Sequence, residues 1–211
     1  GNATRLCDML TDKSKEYEAV LLLGKVTDTQ DISGKVLEEH PVLMEEEQAV
    51  EAVLSFLGSY EQIPPMYSAL KVNGKKLYEL ARAGKEVERA GRPVEIHRID
   101  ILSVALPEIT FRVACSKGTY IRTLCHDIGR KLGCGGTMKS LKRTRVGTFA
   151  IDDALPLGEL EKLAAEGRLE EYVIPADAMF PELPCLTIRD SFRRLLENGN
   201  SFYSNQVREE L

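Results

Sequence analysis

Apolar side chains alternate with polar ones at Tyr17, Ala19, Leu21 and Leu23, which predicts a half-buried strand over residues 15–26 ending in the polar turn Thr27-Asp28-Thr29-Gln30-Asp31. Residues 45–57 change to a period of 3.6, with acids in the first turn and Gly58 past the end, and are predicted as a helix. The string Ile63-Pro64-Pro65-Met66-Tyr67 cannot be helix interior or central strand, because two prolines remove two donors and fix two φ angles. It is expected to be an ordered, extended loop. A short helix over 75–83, stopped by Gly84, precedes an Ile- and Val-rich strand over 92–106 and another over 108–116. The tight link at Pro107-Glu108 requires that these two pair antiparallel.

A helix over 119–132 follows, with Ile121, Leu124, Cys125, Ile128 and Leu132 on its core face and the glycines Gly133, Gly135 and Gly136 closing it. Residues 138–149 read as a strand, 157–166 as a surface helix and 191–197 as a helix stopped by Asn198-Gly199. Residues 4–10 read as the last turns of a helix without a start signal, so the chain is expected to enter in mid-fold. Hairpin links replace long crossovers. The expected fold class is therefore α+β, a mixed, largely antiparallel sheet with helices packed on it.

Composition sets limits on function. An apolar fraction of 43% and a charged fraction of 29% over 211 residues suit one main globular core with a small appendage. No apolar run approaches the ~18 residues of a membrane span, the longest being 19–23, which predicts a cytoplasmic protein with no membrane partner. Five scattered cysteines with no C-x-x-C pair predict neither a metal site nor a disulfide framework. The net charge of −5 conceals blocks of opposite sign. Residues 36–70 contain no Lys or Arg, whereas 112–146 set Lys117, Arg122, Arg130, Lys131, Lys139, Lys142, Arg143 and Arg145 against Asp127 alone. A second basic stretch includes Lys71, Lys75, Lys76, Arg82, Lys85 and Arg92. The blocks suit either two solvated faces or a polyanion footprint.

The richest local chemistry lies in Ser116-Lys117-Gly118-Thr119-Tyr120-Ile121-Arg122-Thr123, where a glycine turn launches a helix with a cation in its first turn. A helix N-terminus already carries partial positive charge, so Arg122 is misplaced there unless it snorkels into water or holds an anion. Lys117 and the free amides of the turn would add to such an anion site. Tyr17 is either a core tyrosine or the floor of a pocket that stacks on a base. Leu141 alternates with Arg143 and Arg145, an apolar side chain beside phosphate-reaching arginines. Tyr67, Lys71 and Tyr78 interleave aromatic and basic character around the rigid loop, next to Lys75 and Lys76, as RNA-backbone contacts require. The residues alone support a nucleic-acid-binding α+β domain with an anion site and name no reaction.

Beyond that reading, the chain resembles the bacterial tRNA pseudouridine synthases of the TruB type. The resemblance runs through Gly1-Asn2-Ala3-Thr4-Arg5, Gly24-Lys25-Val26-Thr27-Asp28-Thr29, Gln62-Ile63-Pro64-Pro65-Met66-Tyr67-Ser68-Ala69-Leu70-Lys71, Lys117-Gly118-Thr119-Tyr120-Ile121-Arg122-Thr123 and Leu132-Gly133-Cys134-Gly135. It implies a pseudouridine synthase-like fold and cofactor-free isomerisation of a T-arm uridine, which is flipped out, detached from its sugar and rejoined through carbon. By position it assigns base stacking to Tyr17, pairing with a catalytic aspartate to Arg122 and pocket lining to Leu141. It implies RNA contacts for Tyr67, Lys71, Lys75, Lys76, Lys117, Arg143 and Arg145, a tRNA T-arm stem-loop as partner and a monomeric state. The family's aspartate lies in a Gly-Thr-Leu-Asp-Pro-type loop that would precede Gly1. The expectation is a truncated catalytic domain over 1–178, inactive by itself, with 179–211 starting an incomplete PUA-like RNA-binding domain. The alternative is a non-catalytic tRNA-binding module or RNA chaperone.

Overall fold

The computed structural model describes residues 2–7, 13–72, 74–180 and 183–208, which fall into two compact units, Gly1–Ala154 and Leu155–Leu211. The elements of the first unit are β1 (Lys15–Leu23), β2 (Lys25–Thr27), β3 (Val36–Glu39), helix α1 (Glu46–Leu54), β4 (Gly58–Gln62), β5 (Lys71–Val72), β6 (Lys75–Lys76), helix α2 (Leu77–Arg82), β7 (Arg92–Ala105), β8 (Glu108–Cys115), helix α3 (Ile121–Lys131), β9 (Gly136–Val146) and β10 (Phe149–Ala150). Six of the strands form an antiparallel sheet in the order β10-β9-β1-β8-β7-β4. The α+β expectation holds.

β1 and β8 are the two central strands of this sheet, and each turns one apolar face fully inward. Ala19, Leu21 and Leu23 are buried there beside Ile109, Phe111 and Val113 of β8, whose side chains alternate buried and part-exposed along the strand. Helices α1 and α3 touch each other and lie on β7 and on β1 and β9 respectively, so both cover one face. Leu124, Cys125 and Ile128 of α3 are fully buried against that face, a gain of roughly 1.5–3 kcal/mol for each large aliphatic side chain. α3 meets β9 through two glycines, since a Cβ on Gly129 would lie 2.1 Å from the amide nitrogen of Gly136.

Several predicted elements change at their ends. The first strand stops at Leu23 because Gly24 takes φ +85°, and the chain then pairs β2 with β3 in a separate hairpin. The predicted helix over 75–83 surrenders Lys75 and Lys76 to a hairpin with Lys71 and Val72, leaving Leu77–Arg82 helical. The strand over 138–149 is two strands split at Gly147, which takes φ +55°. Residues Asn2–Leu6 form a 3-10 helix, Cys7 is α-helical, and residues 8–10 of that prediction lie outside the described residues. The helix predicted from Thr119 starts at Ile121, because the Thr119 hydroxyl turns back to the Ser116 carbonyl at 2.9 Å.

The second unit contains α4 (Leu157–Ala165) and the short α5 (Arg193–Glu197), the latter preceded by the 3-10 turn Asp190–Phe192. Ile188 and Val207 form an isolated antiparallel bridge, and Val207 is buried. Among the described residues no helix is long and apolar enough to cross a membrane.

Candidate active site

Arg122 occupies the first turn of α3, whose N-cap is Tyr120. Its guanidinium is half-buried and donates to the carbonyl of Tyr67 in the proline loop, while it lies 5.8 Å from the centre of the Tyr120 ring. Burial lowers its pKa from the ordinary arginine value, whereas Tyr120 and the Asp31 carboxylate act in the opposite direction. An arginine held in this way offers its remaining N–H donors to an oxyanion.

Asp31 reaches this place through the turn after β2. Residues 30–32 run beside the start of β9, with Met138 donating to the Gln30 carbonyl at 3.1 Å and Ile32 donating to the Met138 carbonyl at 2.9 Å. Gln30 adopts φ +62°, and its side-chain oxygen accepts from the Thr123 hydroxyl at 2.7 Å. The turn is thus tied to β9 on one side and to the first turn of α3 on the other. Sequence reading left Asp31 out of the candidate site. The polar turn was visible, but its return to α3, some ninety positions along the chain, depends on a tertiary hydrogen bond. Asp31 also accepts from the Ser33 amide at 2.9 Å and from its hydroxyl at 2.6 Å, which fixes the carboxylate.

The strand register gathers a second group. Tyr17 stands opposite Arg143, and Ala19 opposite Leu141, on β1 and β9. Burial raises the Tyr17 pKa first, with Cys115 adding to the rise, and Arg143 opposes it through its charge and a hydrogen bond. Tyr17 is thus a part-buried residue that packs against the core and has the Arg143 charge beside it. Leu141 stays 41% exposed, an apolar side chain left facing outward beside arginines. A register shift between Glu16 and Tyr17 inserts Thr144 as an extra residue, so the alternation expected to carry on to Arg145 is interrupted there. Arg143 and Arg145 instead border a small hollow of about 160 Å³ with Phe149 and Ile151.

The other predicted contacts lie on neighbouring surfaces. Lys71, Lys75 and Lys76 belong to the β5–β6 hairpin, and the Lys76 ammonium and the Arg82 guanidinium each lie 5.4 Å from the Tyr78 ring centre. Backbone bonds from Leu77 to Leu70 and from Tyr78 to Ser68 fasten this hairpin to the proline loop carrying Tyr67. Lys117 is exposed in the turn before α3 and borders a pocket of about 420 Å³ with Leu70, Arg92, Pro93 and Tyr120. Among the described residues no cluster of His, Cys, Asp and Glu has metal-binding geometry.

Known proteins place this arrangement in context. Residues 1–121 match the N-terminal domain of TruB family pseudouridylate synthases, and residues 122–181 match the C-terminal domain of tRNA pseudouridylate synthase B. A tRNA pseudouridine synthase B from Alkaliphilus oremlandii is 46% identical over 98% of this chain and 68% of its own length. The corresponding protein of Lachnoclostridium phytofermentans is 51% identical over 95% of this chain and 68% of its own length. Among solved structures, a chain of a Cbf5-Nop10-Gar1 complex superposes with a TM-score of 0.69 at 25% identity. That match covers 97% of this chain and 54% of the other, so the present chain spans about half of that structure's length. With both family domains matched in order and relatives aligned over nearly all of this chain, the chain belongs to the TruB family of pseudouridylate synthases.

Proposed function

We propose that the protein isomerises a uridine in the T-arm of tRNA to pseudouridine, as a cytoplasmic monomer without a cofactor. The observation that carries this reading is the half-buried Arg122, fixed by the Tyr67 carbonyl and free to hold a catalytic carboxylate. In this reading the flipped base stacks on Tyr17, and Leu141 closes the apolar side of its pocket. Arg143, Arg145, Tyr67, Lys71, Lys75, Lys76 and Lys117 hold the surrounding RNA backbone. The catalytic domain extends over 1–178, and 179–211 contribute the beginning of a further RNA-binding domain. Its test is release of label from uridine C5 of a T-arm stem-loop by the intact gene product, because forming the carbon glycoside displaces that hydrogen. Absence of release with a folded protein would reject the activity.

The polypeptide 1–211 contains no Gly-Thr-Leu-Asp-Pro-type loop. Expressed by itself, it is expected to bind the stem-loop without turnover, and label release above background would contradict this. Binding is expected to be salt-sensitive. Lys75 is exposed on the hairpin, and Lys75→Ala should reduce the slope of log affinity against log salt by about one. An unchanged slope in a salt titration would remove Lys75 from the interface.

A further inference from the structure

Gln62 ends β4, one residue ahead of the two prolines, and is 1% exposed. Its carboxamide faces the backbone of Tyr120, the N-cap of α3, across a gap in sequence of 58 residues. The Tyr120 amide donates to Gln62 Oε1 at 2.8 Å, and Gln62 Nε2 donates to the Tyr120 carbonyl at 3.1 Å. The second hydrogen on Nε2 goes to the Tyr60 hydroxyl, whose ring is held edge-on to Phe56 at 5.2 Å. The donors of this buried amide are thereby satisfied. Such a group is costly to replace by one of different polarity.

The same short segment then grips Arg122 a second time. Gln62 fixes the backbone two residues before Arg122, and Tyr67, five residues after Gln62, accepts from its guanidinium. Between these grips Pro64 and Pro65 restrict the chain, and Arg89 donates to the Pro64 carbonyl at 3.2 Å. Segment 62–67 therefore acts as a rigid gauge between the start of α3 and the head of the arginine. We propose that Gln62 is a positioning residue for the reaction, setting where the Arg122 guanidinium stands through its two-point bond to Tyr120. This rests on the functional reading above, in which Arg122 orients the catalytic carboxylate.

The test compares Gln62→Met and Gln62→Glu in the intact gene product, at a temperature where circular dichroism shows both folded. Methionine keeps the length and removes both polar contacts, so kcat should fall about 10- to 100-fold with tRNA affinity little changed. Glutamate can reproduce the pair only when protonated, because its anion accepts from the Tyr120 amide but repels the Tyr120 carbonyl. The kcat of Gln62→Glu relative to wild type should therefore rise as pH is lowered. A ratio independent of pH, a kcat equal to wild type for Gln62→Met, or a loss confined to tRNA affinity would each overturn the role. Should Gln62→Met fail to fold, the Gln62→Glu pH ratio decides alone. Should wild type be inactive, the functional reading fails separately, and amide exchange still decides the clamp. Tyr120 to Thr123 should then exchange faster in Gln62→Glu than in wild type at high pH, and equal rates would overturn the proposal.

Discussion

Arg122→Ala in the intact gene product is expected to lower kcat for T-arm pseudouridylation by about 100- to 1000-fold, the cost of removing one preorganised electrostatic contact. The expectation follows from how the side chain is held. A half-buried guanidinium already bonded to the Tyr67 carbonyl has given up much of its freedom before substrate arrives, so its remaining donors are aimed in advance. Asp31, fixed by Ser33, keeps negative charge near and supports the charged form. Arg122→Lys should rescue little, because an ammonium cannot hold the Tyr67 carbonyl and a carboxylate in the same plane. Single-turnover label release at saturating enzyme, with tRNA affinity measured in parallel, separates the outcomes. Turnover near wild type would exclude Arg122 from the chemistry, and a loss seen only in affinity would move it to RNA binding.

Gly129→Ala should destabilise the first unit by about 3 kcal/mol, at the upper end of overpacking costs. This sign is opposite to helix propensity, which favours alanine over glycine in a helix interior by roughly 1 kcal/mol. The added methyl would lie 2.1 Å from the Gly136 nitrogen and 2.3 Å from the Gly135 carbonyl carbon, both backbone atoms. That backbone cannot retreat easily. The Gly135 amide donates to the Gly129 carbonyl at 3.0 Å, and the Gly135 carbonyl accepts from Gly24 at 3.0 Å. A drop in melting temperature of about 6–12 °C by calorimetry is the corresponding readout. An unchanged or higher melting temperature would show that the helix can move off β9.

The α+β class, the core strands and most helices were legible in the sequence because each rests on local regularities. Alternation in 15–23 and the 3.6 period in 121–128 each mark which side must be buried, whatever the neighbours are. The misplaced charge of Arg122 was legible for the same reason, since a helix end has its polarity wherever it sits. Boundaries depending on pairing were harder to read. Lys75 and Lys76 have nothing strand-like about them until Lys71 and Val72 come alongside. The bulge at Thr144 follows from a register with β1 that the sequence of β9 does not specify.

The sequence by itself therefore determined the family resemblance, the sheet-and-helix class and the arginine at the centre of the candidate site. Only the tertiary structure decided what surrounds that arginine: Asp31 from the turn after β2, Tyr67 from the proline loop, and Gln62 at the end of β4, bonded to Tyr120. It also decided that Gly129 is a contact between backbones and not a weak point in a helix. Periodicity reports which face a residue turns inward, whereas hydrogen bonds between distant segments depend on the register and depth at which those faces meet.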